Sequence, residues 1–245
     1  MAARHLGEDP VDYRRKHYLD AGSFPLTTLG GIYMDQLSLT ECLDRLTEAM
    51  DYAALRDGQQ GLREQGVWRG IGIITFIEQT AVGPGLYGAA GVPATSVEEC
   101  RIRLEADGGI RVETGATDQG QGTLTGIRQI VASELGLDTE AVDVVSADSS
   151  GARGGGAWAS RGLSLAGEAS LLAAEALRVN ILEIAGELLQ VPPRDLRLEK
   201  GFIRGAGRED MALADFAKIA WFKPYDLPAG STDKLALNRS YTLEG

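Results

Sequence analysis

The sequence predicts an α+β (mixed α/β) fold, and three observations carry that prediction. Twice in succession a short β-branched run is followed by a glycine-rich turn and then by apolar residues at helical spacing. Ahead of the first such unit, Cys100, Ile102 and Leu104 alternate with charged residues. Asp107-Gly108-Gly109 then supplies a turn, and Ile110 and Val112 return, which is the pattern of a hairpin. The balance of composition agrees: 245 residues, 44% hydrophobic and 24% charged, can bury one large core or two small ones.

Residues 1 to 20 read as helical from the start, with Leu6, Val11, Tyr13 and Tyr18 as apolar positions. Asp9-Pro10 marks a fresh helix start, because proline suits the first turn. A polar connector with Gly22, Pro25, Gly30 and Gly31 follows. Ser38 and Glu41 then read as a capping box for a helix carrying Leu39, Leu43, Leu46, Met50 and Ala53. Cys42 on this helix reads as a small buried apolar residue. Beyond a polar stretch from Asp57 to Gln65, residues 69–78 read as a strand buried on both faces, ending at Glu78, a polar terminus or a site carboxylate. Residues 81 to 95, with four glycines and two prolines, read as an irregular loop before the hairpin.

Downstream of the hairpin, Leu124, Ile127, Val131 and Leu135 fall on one helical face and Gly136 suits a C-cap. Val142, Val144 and Val145 form the next strand. The longest helix is expected from about Ser160 to Leu189, with Pro192-Pro193 beyond it. Its early part, with Gly162, Ala166, Gly167, Ala169, Ser170 and Ala173, lets another backbone approach closely. A strand pair around Leu196 to Ile203 and a helix from Ala212 to Trp221 complete the map, leaving a polar, poorly patterned tail.

Charge and residue usage narrow the chemistry. A net charge of -11 argues against nucleic acid or an anionic membrane as partner. No apolar run approaches the ~20 residues of a membrane span. Two isolated cysteines suit a reduced, cytoplasmic protein. With only His5 and His17, a histidine metal site or a Ser–His triad has little material. The candidate site lies in the two glycine-rich turns, Glu113 to Thr123 and Ser149 to Ser160. Backbone amides in such turns, at the positive end of a helix, are suited to an anion. From spacing alone, two turns on one ligand and two independent structural turns both remain open.

The order of these residues resembles a known family. Gly115, then Gly120-Gln121-Gly122-Thr123, Gln129-Ile130-Val131-Ala132 and Leu135-Gly136, look like the Gly-Gln-Gly motif of molybdenum hydroxylase large subunits. That family comprises the xanthine dehydrogenases, aldehyde oxidases and carbon monoxide dehydrogenases. Asp148, Gly154 to Arg161 and Gly167-Glu168-Ala169 are similar to its second cofactor loop, and Leu6 to Pro10, Tyr13-Arg14, Ser38, Glu41-Cys42 and Arg69 to Gly72 also fit. The resemblance implies the molybdopterin-binding domain of a molybdenum hydroxylase, here incomplete. Residues 1–60 match the helical end of the first molybdopterin-binding region, 61–225 part of the second, and 226–245 a polar tail.

The resemblance implies contacts to molybdenum-molybdopterin, in mononucleotide or cytosine dinucleotide form, from Gln119, Gly120, Gln121, Gly122, Ala157, Ala159, Ser160 and Arg161. Trp158 falls in the segment facing the substrate, as a pocket wall or as a packed anchor. No residue is implied as a direct metal ligand. The implied reaction hydroxylates an aldehyde, N-heterocycle or similar carbon with oxygen from water. Its electrons leave through iron–sulfur clusters and FAD on small and medium partner subunits. The family's Gly-Glu base has no equivalent in this sequence, since Gly167-Glu168 aligns with the helix after the second loop. The chain is therefore expected to be a middle slice, inactive without the remainder of the large subunit. A truncated, non-catalytic remnant and an unrelated phosphate- or nucleotide-binding module are the alternatives. The module lacks a Walker lysine, because Thr123-Leu124 follows Gly122.

Overall fold

The computed structural model describes residues 1–78, 80–81, 95, 97–205 and 209–243. The chain divides into two compact units, Met1–Ile77 and Glu78–Gly245.

The first unit is mainly helical: α1 (Ala2–Leu6), α2 (Pro10–His17), α3 (Leu39–Ala49) and α4 (Tyr52–Glu64), with a two-residue pairing of β1 (Leu26–Thr27) and β2 (Tyr33–Met34). Asp9 caps α2, accepting the Val11 N–H at 2.7 Å, so the expected start at Asp9-Pro10 holds. Three expectations here fail. Ser38 makes no capping bond, and Glu41 instead pairs with Arg45 one turn on, at 2.6 Å. Cys42 is exposed, because Leu43 takes the buried position on α3. The polar stretch from Asp57 is helical, being part of α4. Asp51 turns the chain at φ 48° and accepts the Ala54 N–H, and Gln59 buries its amide against the Arg69 carbonyl at 2.8 Å.

Residues 69–77 are not a strand. Ile74 and Phe76 are 77% and 72% exposed, and Trp68 81%. An apolar, β-branched run becomes a strand only when a neighbour pairs its backbone groups, and no described residue does so here. The loop expected over 81–95 lies outside the described residues except at its two ends.

The second unit is built around a four-stranded sheet. The expected hairpin forms from β3 (Val97–Leu104) and β4 (Ile110–Thr114), with Leu104 opposite Ile110 and Cys100 opposite Thr114. Helix α5 (Thr123–Leu135) carries the chain from β4 to β5 (Val142–Val145), which pairs with β4 in parallel. The remaining edge is the unexpected element: β9 (Ala236–Thr242) pairs antiparallel with β3, from Ala236 opposite Arg103 to Thr242 opposite Val97. It follows the short helix α8 (Ser231–Lys234), so residues read as a polar tail complete the sheet in the order β5-β4-β3-β9.

The long helix α6 (Gly162–Leu189) lies against this sheet and α5. Its small-residue stripe acts as expected. Ala166, Ala169 and Ala173 are fully buried, and a methyl on Gly167 would stand 3.0 Å from Ile130 Cδ1. Ile127, Val131 and Leu135 of α5 join Leu177, Ile181 and the inward residues of β3 and β4 in one core. Beyond α6, β6 (Leu196–Glu199) and β7 (Phe202–Gly205) form a hairpin. Its two turn residues, Lys200 and Gly201, both have positive φ, as a two-residue turn of this kind requires. Then β8 (Met211–Ala212) adds to β7, and α7 (Leu213–Phe222) packs Phe216 and Ala217 into the core. This is the α+β architecture the sequence predicts.

Candidate functional site

Two loops leave the carboxyl ends of adjacent parallel strands, 115–122 after β4 and 146–161 after β5, and so emerge at the same end of the sheet. In open sheets with parallel strands this is where ligand sites are built. Their backbones touch. A methyl group on Gly154 would lie 2.6 Å from the carbonyl carbon and oxygen of Gly115, a distance no Cβ tolerates. The helices that follow also meet at their first residues: a methyl on Gly162 would stand 3.3 Å from Thr123 Oγ1. Of the two readings left open by spacing, the structure therefore has the turns side by side.

Between them lies a cleft of about 450 Å³. Its walls include Gln119 and Gln121 from the first loop, and Ala157, Trp158, Ala159, Ser160 and Arg161 from the second. Thr123, Gly162, Leu163 and Ser164 close it at the helix starts. Gly120 and Gly122 flank Gln121 in the turn, at φ 103° and 81°, conformations that favour glycine. Seven of the nine residues singled out from sequence thus line one cleft, and the other two, Gly120 and Gly122, flank Gln121 in the chain.

The first loop differs in one respect from an anion cradle: the amides of Gln119, Gly120, Gly122 and Leu124 are already used. Asp118 Oδ1 accepts the N–H groups of Gly120 at 2.7 Å and Gly122 at 3.4 Å, and Oδ2 accepts that of Leu124 at 3.2 Å. The Gly120 and Leu124 amides, in that order, hold the Asp118 carboxyl below its ordinary range. The Gln119 N–H points to Gln121 Oε1 at 2.6 Å, while Gln121 Nε2 makes only a 3.4 Å contact with the Thr117 carbonyl. Free amides for a phosphate are thus not what this turn offers; it presents the Gln121 carboxamide on a rigid, internally bonded frame.

The second loop is held from β3. Glu98 Oε1 accepts the Gly155 N–H at 2.7 Å and faces Arg161 Nη2 at 3.1 Å, with Glu98 and Arg161 each 1% exposed. Burial pushes the Glu98 carboxyl up, opposed by the Gly155 amide and by Arg161. Arg161 also donates through Nη1 to the Thr95 carbonyl, so its guanidinium faces the protein interior rather than the cleft. Glu99 accepts the Arg153 N–H at 3.1 Å and Nε at 2.9 Å. Trp158 donates its indole N–H to the Gly155 carbonyl at 2.7 Å, and the Arg161 guanidinium carbon lies 5.1 Å from the centre of its ring. Ala159 and Ser160 both adopt positive φ, 51° and 50°, a strained pair for non-glycine residues. Ser160 hydrogen-bonds through its hydroxyl to Glu78, which is thereby joined to the loop.

Sequence reasoning missed Asp118, Glu98 and Glu99. A signal for Glu98 was present, because it shares the alternation of Cys100, Ile102 and Leu104 and so had to point inward.

Residues 45–243 match the family described as molybdopterin cofactor-binding domain. The chain is 29% identical to the nicotine 6-hydroxylase large subunit of Paenarthrobacter nicotinovorans, covering 98% of this chain and 29% of that protein. It is 33% identical to the carbon monoxide dehydrogenase large chain of Hydrogenophaga pseudoflava, covering 94% and 29%. Among solved structures, quinoline 2-oxidoreductase from Pseudomonas putida 86 superposes at a TM-score of 0.74 with 28% identity, covering 98% of this chain and 31% of that one. The chain therefore spans less than a third of the length of these relatives.

Proposed function

Because the chain belongs to the molybdopterin cofactor-binding domain family, that of the xanthine dehydrogenase and carbon monoxide dehydrogenase type molybdenum hydroxylases, we propose that its two-loop cleft is one side of the molybdopterin site of such an oxidoreductase. The observation that supports this reading is the Gly115–Gly154 contact, which sets both loops on one cleft.

The residues present fit the group. The cleft is of ligand size. The Gln121 Nε2 is weakly engaged and free to donate to the cofactor. The open glycine turn around it, where a Cβ would meet nothing within 4 Å at Gly120 or Gly122, lets a ligand approach the backbone. On the opposite wall, the main chain of Ala157, Ala159 and Ser160 completes the contact, and Trp158 forms the wall toward substrate. Gln119 and Gly122 contribute through their backbones. Arg161 contributes by holding the loop, since its guanidinium is bound to Glu98 and Thr95.

When bound, the cofactor supplies a redox-active metal that takes up the electrons released as a substrate carbon gains oxygen from water. In this reading residues 1–60 belong to a first molybdopterin-binding region and 61–225 to a second. The substrate is an aldehyde, N-heterocycle or similar carbon compound, and the base is supplied by other segments of the large subunit. Iron–sulfur and FAD-bearing subunits take the electrons, and the isolated chain has no hydroxylase activity.

Elemental mass spectrometry tests the assignment, on the chain produced together with the rest of a large subunit and its partner subunits. Molybdenum is expected in stoichiometric amount and is expected to fall away when Gly120 and Gln121 are both replaced by bulky residues. Stoichiometric molybdenum in that double variant contradicts the assignment.

A further inference from the structure

One oxygen atom ties both ends of the segment that forms the second wall of the cleft. Glu98 Oε1 holds the Gly155 N–H and Arg161 Nη2, and the residues between these anchors, 156–160, include Ala157, Trp158, Ala159 and Ser160. Inside this ring of contacts Trp158 returns its indole N–H to the Gly155 carbonyl and stacks beside the Arg161 guanidinium. No side chain fits at the junction, since a methyl on Gly155 would lie 2.7 Å from Arg161 Cζ and 2.8 Å from the Thr95 carbonyl oxygen. One residue upstream, Gly154 is pressed against Gly115, and Arg153 is gripped by the adjacent carboxylate of Glu99.

Stability alone does not account for a buried Glu98–Arg161 pair. Exchanging such a pair for well-packed apolar residues is often neutral or stabilising, whereas leaving either charge alone is costly. The pair also leaves Glu98 Oε2 and Arg161 Nε buried without a hydrogen-bond partner among the described residues. What it does supply is geometry, because a carboxylate fixed in a strand defines where both ends of a flexible loop must lie.

We propose that Glu98 is a positioning residue: it closes the base of the 156–160 loop and so sets the strained Ala159-Ser160 backbone and the Trp158 ring against the cleft. Glu98 itself touches neither cofactor nor substrate. The consequence for cofactor retention rests on the proposed function above; the closure of the loop does not.

Replacing Trp68 and Trp221 by Phe leaves Trp158 as the sole tryptophan of the three, a reporter inside the loop. In that background Glu98→Ala is expected to shift Trp158 emission to the red and to raise its quenching by acrylamide severalfold, while the folded chain still melts cooperatively. Glu98→Gln is expected to fall between, since its carbonyl still accepts the Gly155 N–H but no longer neutralises Arg161. It also serves if Glu98→Ala does not fold. Trp158 emission and quenching equal to the parent in a folded Glu98→Ala or Glu98→Gln chain overturn the proposal. A loosened Trp158 with unchanged molybdenum in the assembled enzyme supports the closure and instead contradicts the cofactor assignment of the loop.

Discussion

A single methyl group at Gly154 probes the contact on which the cleft depends. In Gly154→Ala the new carbon would stand 2.6 Å from the Gly115 carbonyl group and 2.7 Å from Glu98 Oε2. Carbon contacts are comfortable at about 3.5–4.0 Å, so the loops must separate by on the order of 1 Å. Overpacking of this kind costs about 1–3 kcal/mol. The upper end applies, because the obstruction is main chain on one side and a buried, ion-paired carboxylate on the other. For a domain of ~150–250 residues each kcal/mol lowers the melting temperature by about 2–4 °C, so a fall of roughly 6–12 °C is expected. Differential scanning calorimetry of the chain reads it directly. Gly120→Ala is the matched control: its methyl meets nothing within 4 Å, and only the φ of 103° opposes it, a backbone cost of about 1–2 kcal/mol. A Gly154→Ala melt that coincides with the parent's refutes the loop contact.

Two further outcomes follow from the electrostatics and burial. Asp118 is held below its ordinary pKa of 3.8 by the Gly120 amide first and then that of Leu124, so its capping is intact above pH 3.8 and is lost as pH falls through the lowered value; the amide resonances of Gly120 and Leu124 should titrate below pH 3.8, and Asp118→Asn should abolish that titration, whereas an apparent pKa at or above 3.8 counts against the cap. Burial raises the Cys100 thiol to about 11 while Cys42 is exposed; at pH 8 a thiol reagent should therefore modify Cys42 and leave Cys100 intact until the chain unfolds, as peptide mass mapping would show, and rapid modification of Cys100 in the folded chain contradicts its placement in the core.

What the sequence reveals is largely what is encoded locally. The β3–β4 hairpin follows from alternation and the Asp107-Gly108-Gly109 turn, and α5 and α6 from apolar spacing closed by Gly136 and followed by Pro192-Pro193. What it hides depends on distant partners. The β9 strand has weak alternation, Ala-Leu-Asn-Arg-Ser-Tyr-Thr, and owes its existence to pairing with β3 more than a hundred residues earlier in the chain. Residues 69–77 show the converse error, a strong strand composition with no described neighbour to pair with. Helix α4 escapes a reading based on apolar runs because Gly58 and Gly61 interrupt it and glycine disfavours helix.

At the site the same division holds. Glycine placement reveals both loops, since close approach at Gly115 and Gly154 and positive φ at Gly120 and Gly122 leave glycine as the residue that fits. The residues that hold those loops are harder to read. Asp118 occupies the amides that the turn was expected to offer to a ligand, which composition cannot foretell. Glu98 and Glu99 look like ordinary strand charges until the chain folds 146–161 onto them.

The central claim is that both loops bound one molybdopterin site, and locating the metal tests it most directly. In crystals of the chain assembled with the rest of its large subunit, anomalous scattering at the molybdenum absorption edge should give a peak adjoining the cleft between Gln121 and the Trp158–Ser160 segment. A peak remote from both loops, with the cleft filled by protein alone, contradicts the account.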